Sequence, residues 1–365
     1  MTNNDTAYMK TALRLAARGA GRVSPNPMVG AVVVRRGEIV GRGYHRRLGG
    51  PHGEVEALRD AGEKARGATL YVTLEPCNHQ GRTPPCTQAV LEGGVHRVVI
   101  ATLDPNPQVT GGGAAHLAAQ GLKVEIGLLE AEARRLNAAW FKWVTTGLPL
   151  VIAKAACSLD GRIATATGHS QWLTGEAARN FGHRLRHRTD AILVGLGTVL
   201  ADDPQLTARL PRGRGKDPIR LVLDSHLRLP LSARLLHLGS TAATWVACTA
   251  KAPKEKMQAI EQQGAEVLVL PEEKGRVALK PLLTLLGQRQ VQSLLVEGGA
   301  ETLGSFFDQR LVDKFYFFYA PKILGGRRAL GVVGGQGATH LKDALQAKEL
   351  GIRRLGADLL ISGYF

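Results

Sequence analysis

Between Pro51 and Cys86 the chain runs P-H-G-E-V-E-A-L and then, some way further on, V-T-L-E-P-C-N-H-Q-G-R-T-P-P-C. His52, Cys77 and Cys86 offer one imidazole and two thiolates, the ligand types Zn²⁺ prefers. For three such distant positions to meet on one ion, the fold must bring separate turns together. Three protein ligands leave the fourth tetrahedral position to water, as a catalytic site needs, whereas structural sites close with a fourth protein ligand. His45 and His79 are candidates for that fourth place, so the ligand count stays open at this point. Glu54, two residues beyond His52, can reach such a water without binding the ion.

The combination H-x-E, P-C and a second Cys resembles the zinc deaminases, in which the metal activates water and the Glu shuttles protons. The nucleic-acid enzymes of that kind carry P-C-x-x-C, whereas eight residues separate Cys77 from Cys86 here. Gly81, Pro84 and Pro85 enlarge and stiffen this ligand loop, part of which shapes the pocket. A nucleic-acid deaminase with an appended phosphate-binding domain would share H-x-E and the basic charge. It would also need base-stacking aromatics, and only Tyr44 and Tyr71 lie near the motif in a chain that is 5% aromatic. A structural zinc knuckle or a zinc-stabilised binding protein would have no use for Glu54.

At 365 residues two domains are expected. A 44% hydrophobic, 21% charged composition is that of a globular protein. Cys157 and Cys248 sit in apolar runs and read as small core residues, so the four cysteines give no disulfide framework. The amino terminus shows no signal-peptide pattern and no run suits a membrane span; a cytoplasmic location is the expectation. A formal charge of +16, dispersed along the chain, favours anionic partners such as phosphorylated metabolites and cofactors.

Apolar spacing predicts a helix over 5–19, two strands about an Arg36-Gly37 turn, a helix opened by His52 and Glu54, a strand over 68–74, and a helix after Cys86. With the strand, helix and strand that follow, the rhythm α-β-β-α-β-α-β-α-β makes a three-layer α/β sandwich over 1–147. Ligands at two helix starts would bring positive dipole ends to the metal-bound water. Asn26, in the rigid S-P-N-P-M-V-G loop, either caps a turn or meets the amidine edge of a heterocycle.

A second α/β domain is expected over 148–365, without internal repeat and without G-x-G-x-x-G after its first strand. V-E-G-G-A-E-T-L-G-S delivers two glycines into a helix start and suits a phosphate. G-L-G-T-V-L-A-D-D-P reads as a further glycine loop, bearing Thr198 and Asp202. Arg186 and Arg209 have the fork to grip a phosphate. From the residues alone this half is a pocket for phosphorylated ligands.

Over nearly its whole length the chain resembles the bifunctional riboflavin-biosynthesis deaminase/reductase family. The likeness rests on the Cys77–Cys86 loop, P-N-P-M-V-G, the stretch 104–113, S-L-D-G-R-I-A, H-S-Q-W-L-T, G-T-V-L-A-D-D-P-Q-L-T-A-R, V-L-D-S and V-E-G-G-A-E-T-L-G. It implies a cytidine-deaminase-like zinc domain followed by a dihydrofolate-reductase-like domain. It also implies one Zn²⁺ on His52, Cys77 and Cys86, with Glu54 catalytic. The implied reactions are deamination of a phosphoribosylaminopyrimidine, then NADPH reduction of its ribosyl group to ribityl. NADPH positions fall on Ala156, Trp172, Thr198, Asp202, Ser225 and the turn Gly299, Ala300, Glu301, Thr302, Leu303, Gly304, Ser305. Substrate positions fall on Ser170, Arg186, Leu206, Arg209 and Glu297. Lys154 and Asp202 are candidates to polarise the imine or donate a proton. The basic charge then needs no nucleic acid, since substrate and cofactor carry phosphate. A homodimer or higher homo-oligomer is expected, with no membrane partner.

Overall fold

The structure is a computed structural model and describes residues 3–80, 84–106, 112–211, 213 and 215–365. The chain divides into two compact units, Met1–Gly147 and Leu148–Phe365.

The first unit runs α1 (Asn3–Ala16), β1 (Gly30–Arg35), β2 (Glu38–Tyr44), α2 (Gly53–Ala61), β3 (Thr69–Val72), α3 (Cys86–Glu92), β4 (Arg97–Ile100), α4 (Gly113–Ala119), β5 (Lys123–Ile126), α5 (Glu130–Leu136) and α6 (Ala138–Thr146). Its sheet has the order β2-β1-β3-β4-β5, with β1 antiparallel to both neighbours and the remaining pairs parallel. Successive side chains of a strand point to opposite faces. Ala31, Val33, Leu70, Val72, Val98 and Ile100 therefore pack with Ala57, Leu58, Val90 and Leu117 of α2, α3 and α4. Val32, Val34, Tyr71 and Val99 face the other way, onto Met9 and Ala12 of α1 and Ala133 of α5. The result is the three-layer arrangement expected. A Cβ at Gly43 would overlap the backbone of α2 at Gly53 and Ala57, so only glycine lets α2 lie directly on β2. That close seat fixes where α2 begins, and so where His52 stands.

The second unit runs β6 (Leu150–Ser158), α7 (Glu176–Arg188), β7 (Ala191–Gly195), α8 (Leu196–Asp202), β8 (Ile219–Leu223), β9 (Thr244–Thr249), α9 (Lys254–Gln262), β10 (Glu266–Leu270), the short hairpin β11 (Glu272–Glu273) and β12 (Arg276–Val277), α10 (Leu279–Gln288), β13 (Ser293–Val296), α11 (Ala300–Asp308), β14 (Lys314–Ala320), β15 (Lys348–Leu355) and β16 (Asp358–Tyr364). Nine strands form one sheet in the order β10-β9-β8-β7-β13-β6-β14-β16-β15. All neighbours from β10 to β14 are parallel, and β16 and β15 close the edge antiparallel. Strands covered on both faces read as continuous apolar runs. A-I-L-V-G of β7 and T-W-V-A-C-T of β9 are buried throughout. Val296 is in register with Ala153 and Leu193, so Glu297, Lys154 and Val194 lie together towards the carboxyl edge of the parallel strands. Ligands of open parallel sheets bind at that edge.

Two expectations need correction. The stretch taken for a glycine loop at Thr198 and Asp202 is the helix α8: Gly195 caps it in extended conformation, and Leu196 and Val199, three apart, are buried beneath it. The expected last strand is preceded by an unforeseen one, β15. Its K-E-L-G-I-R-R-L is largely exposed, so no apolar alternation betrays it. Among the described residues, no helix is long and apolar enough to cross a membrane.

Candidate active sites

In the first unit, His52 is the N-cap of α2 and Cys86 the first residue of α3, while Cys77 follows the turn after β3. The ligand atoms of His52, Cys77 and Cys86 all lie within 4.8 Å of one another. His52 Nδ1 is 3.1 Å from Cys86 Sγ and 3.6 Å from Cys77 Sγ. Tetrahedral zinc with bonds of about 2.0–2.3 Å sets its ligand atoms roughly 3.3–3.8 Å apart, so the donor set fits the ion. The first N–H of α3, that of Cys86, donates to Cys77 Sγ at 3.3 Å. The Cys86 thiol above all, with His52 and that N–H bond, holds the Cys77 thiol down near 4 against the opposing effect of burial, the anionic form a metal requires. Cys86, beside that thiolate and buried, is pushed up correspondingly.

Glu54 sits in the first turn of α2 and is 2% exposed. Its Oε2 has no hydrogen-bond partner among the described residues. Burial pushes its carboxyl up to about 7, which suits a group that takes and returns protons near neutrality. The two candidates for a fourth ligand are otherwise engaged or remote. His45 has Nδ1 3.0 Å from Pro51 O and Nε2 3.2 Å from Asn26 Nδ2; His79 is exposed. Asn26 thus holds the His45 ring through its amide nitrogen.

The ligand loop is tied at its ends by Thr87 Oγ1, which donates to Asn78 Oδ1 at 2.7 Å. Residues 81–83, with Gly81, lie outside the described residues, as do 107–111 of the stretch 104–113. Glu75 was missed in the sequence. It is buried and accepts N–H bonds from Asp104 and Ala114 at 3.0 and 2.9 Å. It thereby fastens the loop at Asp104 and the start of α4 beside the ligands; its place in the tripeptide E-P-C was the available signal.

In the second unit, Arg186 on α7 and Lys154 on β6 both reach Glu297 at the end of β13. Arg186 Nε and Nη2 donate to the two carboxylate oxygens at 2.8 and 2.9 Å, and Nη1 donates to Thr207 O at 3.2 Å. Burial alone would raise the Glu297 carboxyl, but the charges of Arg186 and Lys154 outweigh it and hold the group well below the usual range. Arg209 is exposed and donates to Gln205 and Thr207. Its N–H donates to His183 Nδ1, whose ring burial and the adjacent Arg186 and Arg209 push down to about 4. Leu206 is buried beside Thr207. Ser170 Oγ and Gln171 Nε2 meet Asp202 Oδ1 at 3.4 and 3.1 Å.

A cavity of about 890 Å³ is lined by Ser225, Glu301, Thr302 and Ser305 from the expected cofactor positions. Thr198 Oγ1 accepts the Gly299 N–H at 3.0 Å, fixing the turn into α11. The opening N–H groups of a helix have no intrahelical partner, and Gly197 on the facing wall opens onto empty space. These features fit a nucleotide phosphate. Leu303 and Gly304 face inward, and a Cβ at Gly304 would overlap Gly334. Ala156, Trp172 and Asp202 lie outside the cavity wall, Trp172 being 67% exposed.

Comparison with known proteins matches both halves. Residues 2–102 fit the family model described as the cytidine and deoxycytidylate deaminase zinc-binding region, and residues 149–361 that of the RibD C-terminal domain. Riboflavin biosynthesis protein RibD of Aquifex aeolicus is 45% identical over 98% of this chain and 97% of its own length. That of Escherichia coli is 44% identical over 98% of each. Among solved structures, Acinetobacter baumannii RibD superposes with a TM-score of 0.88 at 38% identity, covering 99% of this chain and 98% of that one. The diaminohydroxyphosphoribosylaminopyrimidine deaminase/5-amino-6-(5-phosphoribosylamino)uracil reductase of Thermotoga maritima gives 0.87 at 36% identity with the same coverage. A zinc-binding deaminase region and a reductase domain in one chain imply zinc and a nicotinamide cofactor. The chain belongs to the RibD family of riboflavin biosynthesis proteins, bifunctional enzymes that join a deaminase to a reductase.

Proposed function

We propose that the domain over 1–147 deaminates 2,5-diamino-6-(5-phosphoribosylamino)pyrimidin-4(3H)-one. The domain over 148–365 then reduces the resulting 5-amino-6-(5-phosphoribosylamino)uracil with NADPH. The observation that carries the first half is the convergence of His52, Cys77 and Cys86 beside a buried, unpartnered carboxylate oxygen of Glu54. One zinc ion held by the three side chains would supply an activated water. Glu54 takes the proton of that water and returns it to the departing ammonia, work that typically contributes ~10²–10⁴-fold. Asn26, held in place by the buried His45, presents the rest of its amide to the heterocycle.

In the reductase domain, bound NADPH would supply hydride to C1 of the ribosyl group. Ser225, Thr302 and the first turn of α11 hold its phosphates, with Thr198 setting the turn at Gly299. Glu297 orders Lys154 and Arg186 near the substrate, while Arg209 and Ser170 address its polar groups. Leu206 and Ala156 supply apolar walls, Trp172 a stacking face, and Asp202 a carboxylate at the mouth. These roles rest on the family likeness and on the clusters described above. A cytoplasmic setting accords with free cysteines at the metal position. A homo-oligomer is supported by the edge strand β15, where Leu350 and Ile352 are 62% and 70% exposed. A phosphorylated small molecule, rather than nucleic acid, accords with the enclosed Arg–Glu–Lys cluster.

The test is a coupled assay on the diaminopyrimidine ribotide: ammonia release first, NADPH oxidation second, each dependent on its own domain. NADPH oxidation without prior ammonia release would reverse the proposed order.

A further inference from the structure

The hairpin β11–β12 stands against the cavity but belongs to none of the expected site positions. Its two-residue turn is Lys274-Gly275, both at positive φ, the geometry of hairpins that follow the twist of their strands. The turn puts Lys274 at the tip and Arg276 just after it, and both line the cavity wall. The hairpin is fixed at its base. The Val277 N–H donates to Ser225 Oγ at 3.1 Å, and Lys251 Nζ meets Glu272 Oε1 at 2.8 Å. Ser225 Oγ, having accepted, keeps its own proton to donate into the cavity. His226 and Arg228 follow it on the same wall.

Among the described residues the wall also carries the acids Asp224, Glu273, Glu301 and Asp308, two of which are held by backbone N–H groups. Asp224 accepts the Leu229 N–H, and Asp308 those of Gln336 and Gly337. Glu301 lies 3.6 Å from Arg276 with both side chains mostly exposed, a loose pair that a tighter anion can displace. The wall thus sets Arg228, Lys274 and Arg276 around one hydroxyl donor, with the exposed Glu273 and Glu301 as loosely held counter-charges that a phosphate can displace.

Position along the sheet says which anion. Lys154 and Glu297, the polar cluster of the reduction site, sit at the ends of β6 and β13, and α11 begins just past Glu297. Ser225 follows β8, three strand spacings from β6, or about 14 Å. A dinucleotide with its reactive ring near Glu297 and its diphosphate on α11 has its adenosine end at Ser225 and the hairpin. We propose that Lys274 and Arg276, with Ser225, recognise the 2′-phosphate of the adenosine ribose and so set the preference for NADPH over NADH. This rests on the NADPH reading above.

The test is titration calorimetry on the full-length protein with NADPH, NADH, adenosine 2′,5′-bisphosphate and AMP. The variants are Lys274→Ala/Arg276→Ala and, as a milder change, Arg276→Gln; zinc content and melting transitions check that each is folded. Loss of charge-assisted bonds to one phosphate should weaken NADPH and the bisphosphate by about tenfold or more in the double variant. NADH and AMP should stay within roughly twofold. Equal weakening of all four ligands would make the hairpin a mere wall and overturn the assignment, as would no weakening in either variant. Wild-type protein that binds NADH as tightly as NADPH would instead overturn the NADPH reading itself. A preference for NADPH that survives both substitutions removes only the hairpin from the account.

Discussion

Arg186 and Glu297 meet side-on across the carboxyl edge of the second sheet, two guanidinium donors on two carboxylate oxygens at 2.8 and 2.9 Å. Their side chains are 16% and 7% exposed, so the pair is largely withdrawn from water. Removing Arg186 leaves the buried Glu297 with Lys154, 3.2 Å away, as its remaining charged partner, and strips it of both guanidinium bonds.

Arg186→Ala should therefore act twice. It should destabilise the reductase domain by roughly 3 kcal/mol, seen as a lowered melting transition of that domain. It should also raise KM for the phosphorylated substrate while NADPH affinity changes little. Arg186→Lys should repair little, because an ammonium cannot make the side-on pair. An unchanged melting transition together with an unchanged KM would remove Arg186 from both roles.

The sequence showed why such a fork was worth noting but not what closes it. Arg186 and Glu297 are 111 positions apart, and only the parallel pairing of β13 with β6 and β7 joins them. The His52–Cys86 motif was legible because metal chemistry limits residue types and spacing, whatever the surrounding fold. The three layers of the first unit were legible from the rhythm α-β-β-α-β-α-β-α-β, whose strands and helices must bury their apolar faces on one another. α8 was not, since its glycines read as a loop until Leu196 and Val199 are seen to share a buried face. β15 and the β11–β12 hairpin were hidden by their charge, for an exposed edge leaves no apolar period.

His183 gives a pH signature. Its imidazole is held down to about 4 by burial and by Arg186 and Arg209, against about 6.5 unfolded. Between those values the unfolded chain binds the extra proton, so stability is full above pH ~6.5 and falls as pH drops toward ~4. His183→Gln should flatten that part of the profile. Melting curves of both proteins at intervals across the window check this; parallel losses in the two would place the titration elsewhere.

Metal removal should separate the two activities. A strong chelator should abolish ammonia release while NADPH oxidation on the already deaminated substrate continues. Zinc retention should weaken as pH falls, because a proton competes for His52, whose pKa is raised by its bond to Cys77. Direct zinc analysis after dialysis at several pH values reads this out. Retention that improves on acidification would exclude His52 as a ligand.

Replacing Gly43 should disturb the same centre from beneath. Gly43→Ala pushes α2 off β2 and displaces His52 and Glu54 together. Overpacking of this kind costs about 1–3 kcal/mol, so the melting transition of the deaminase domain should fall and zinc affinity with it. A variant with unchanged zinc affinity and melting would show that α2 does not depend on this contact.

The division of labour among four side chains is tested most directly by Glu54→Gln, assayed for ammonia release alongside zinc analysis. Three ligands that hold the ion without Glu54 predict about one zinc per chain, with ammonia release reduced by ~10²-fold or more. A variant that keeps its turnover, or that loses its zinc, would contradict the assignment.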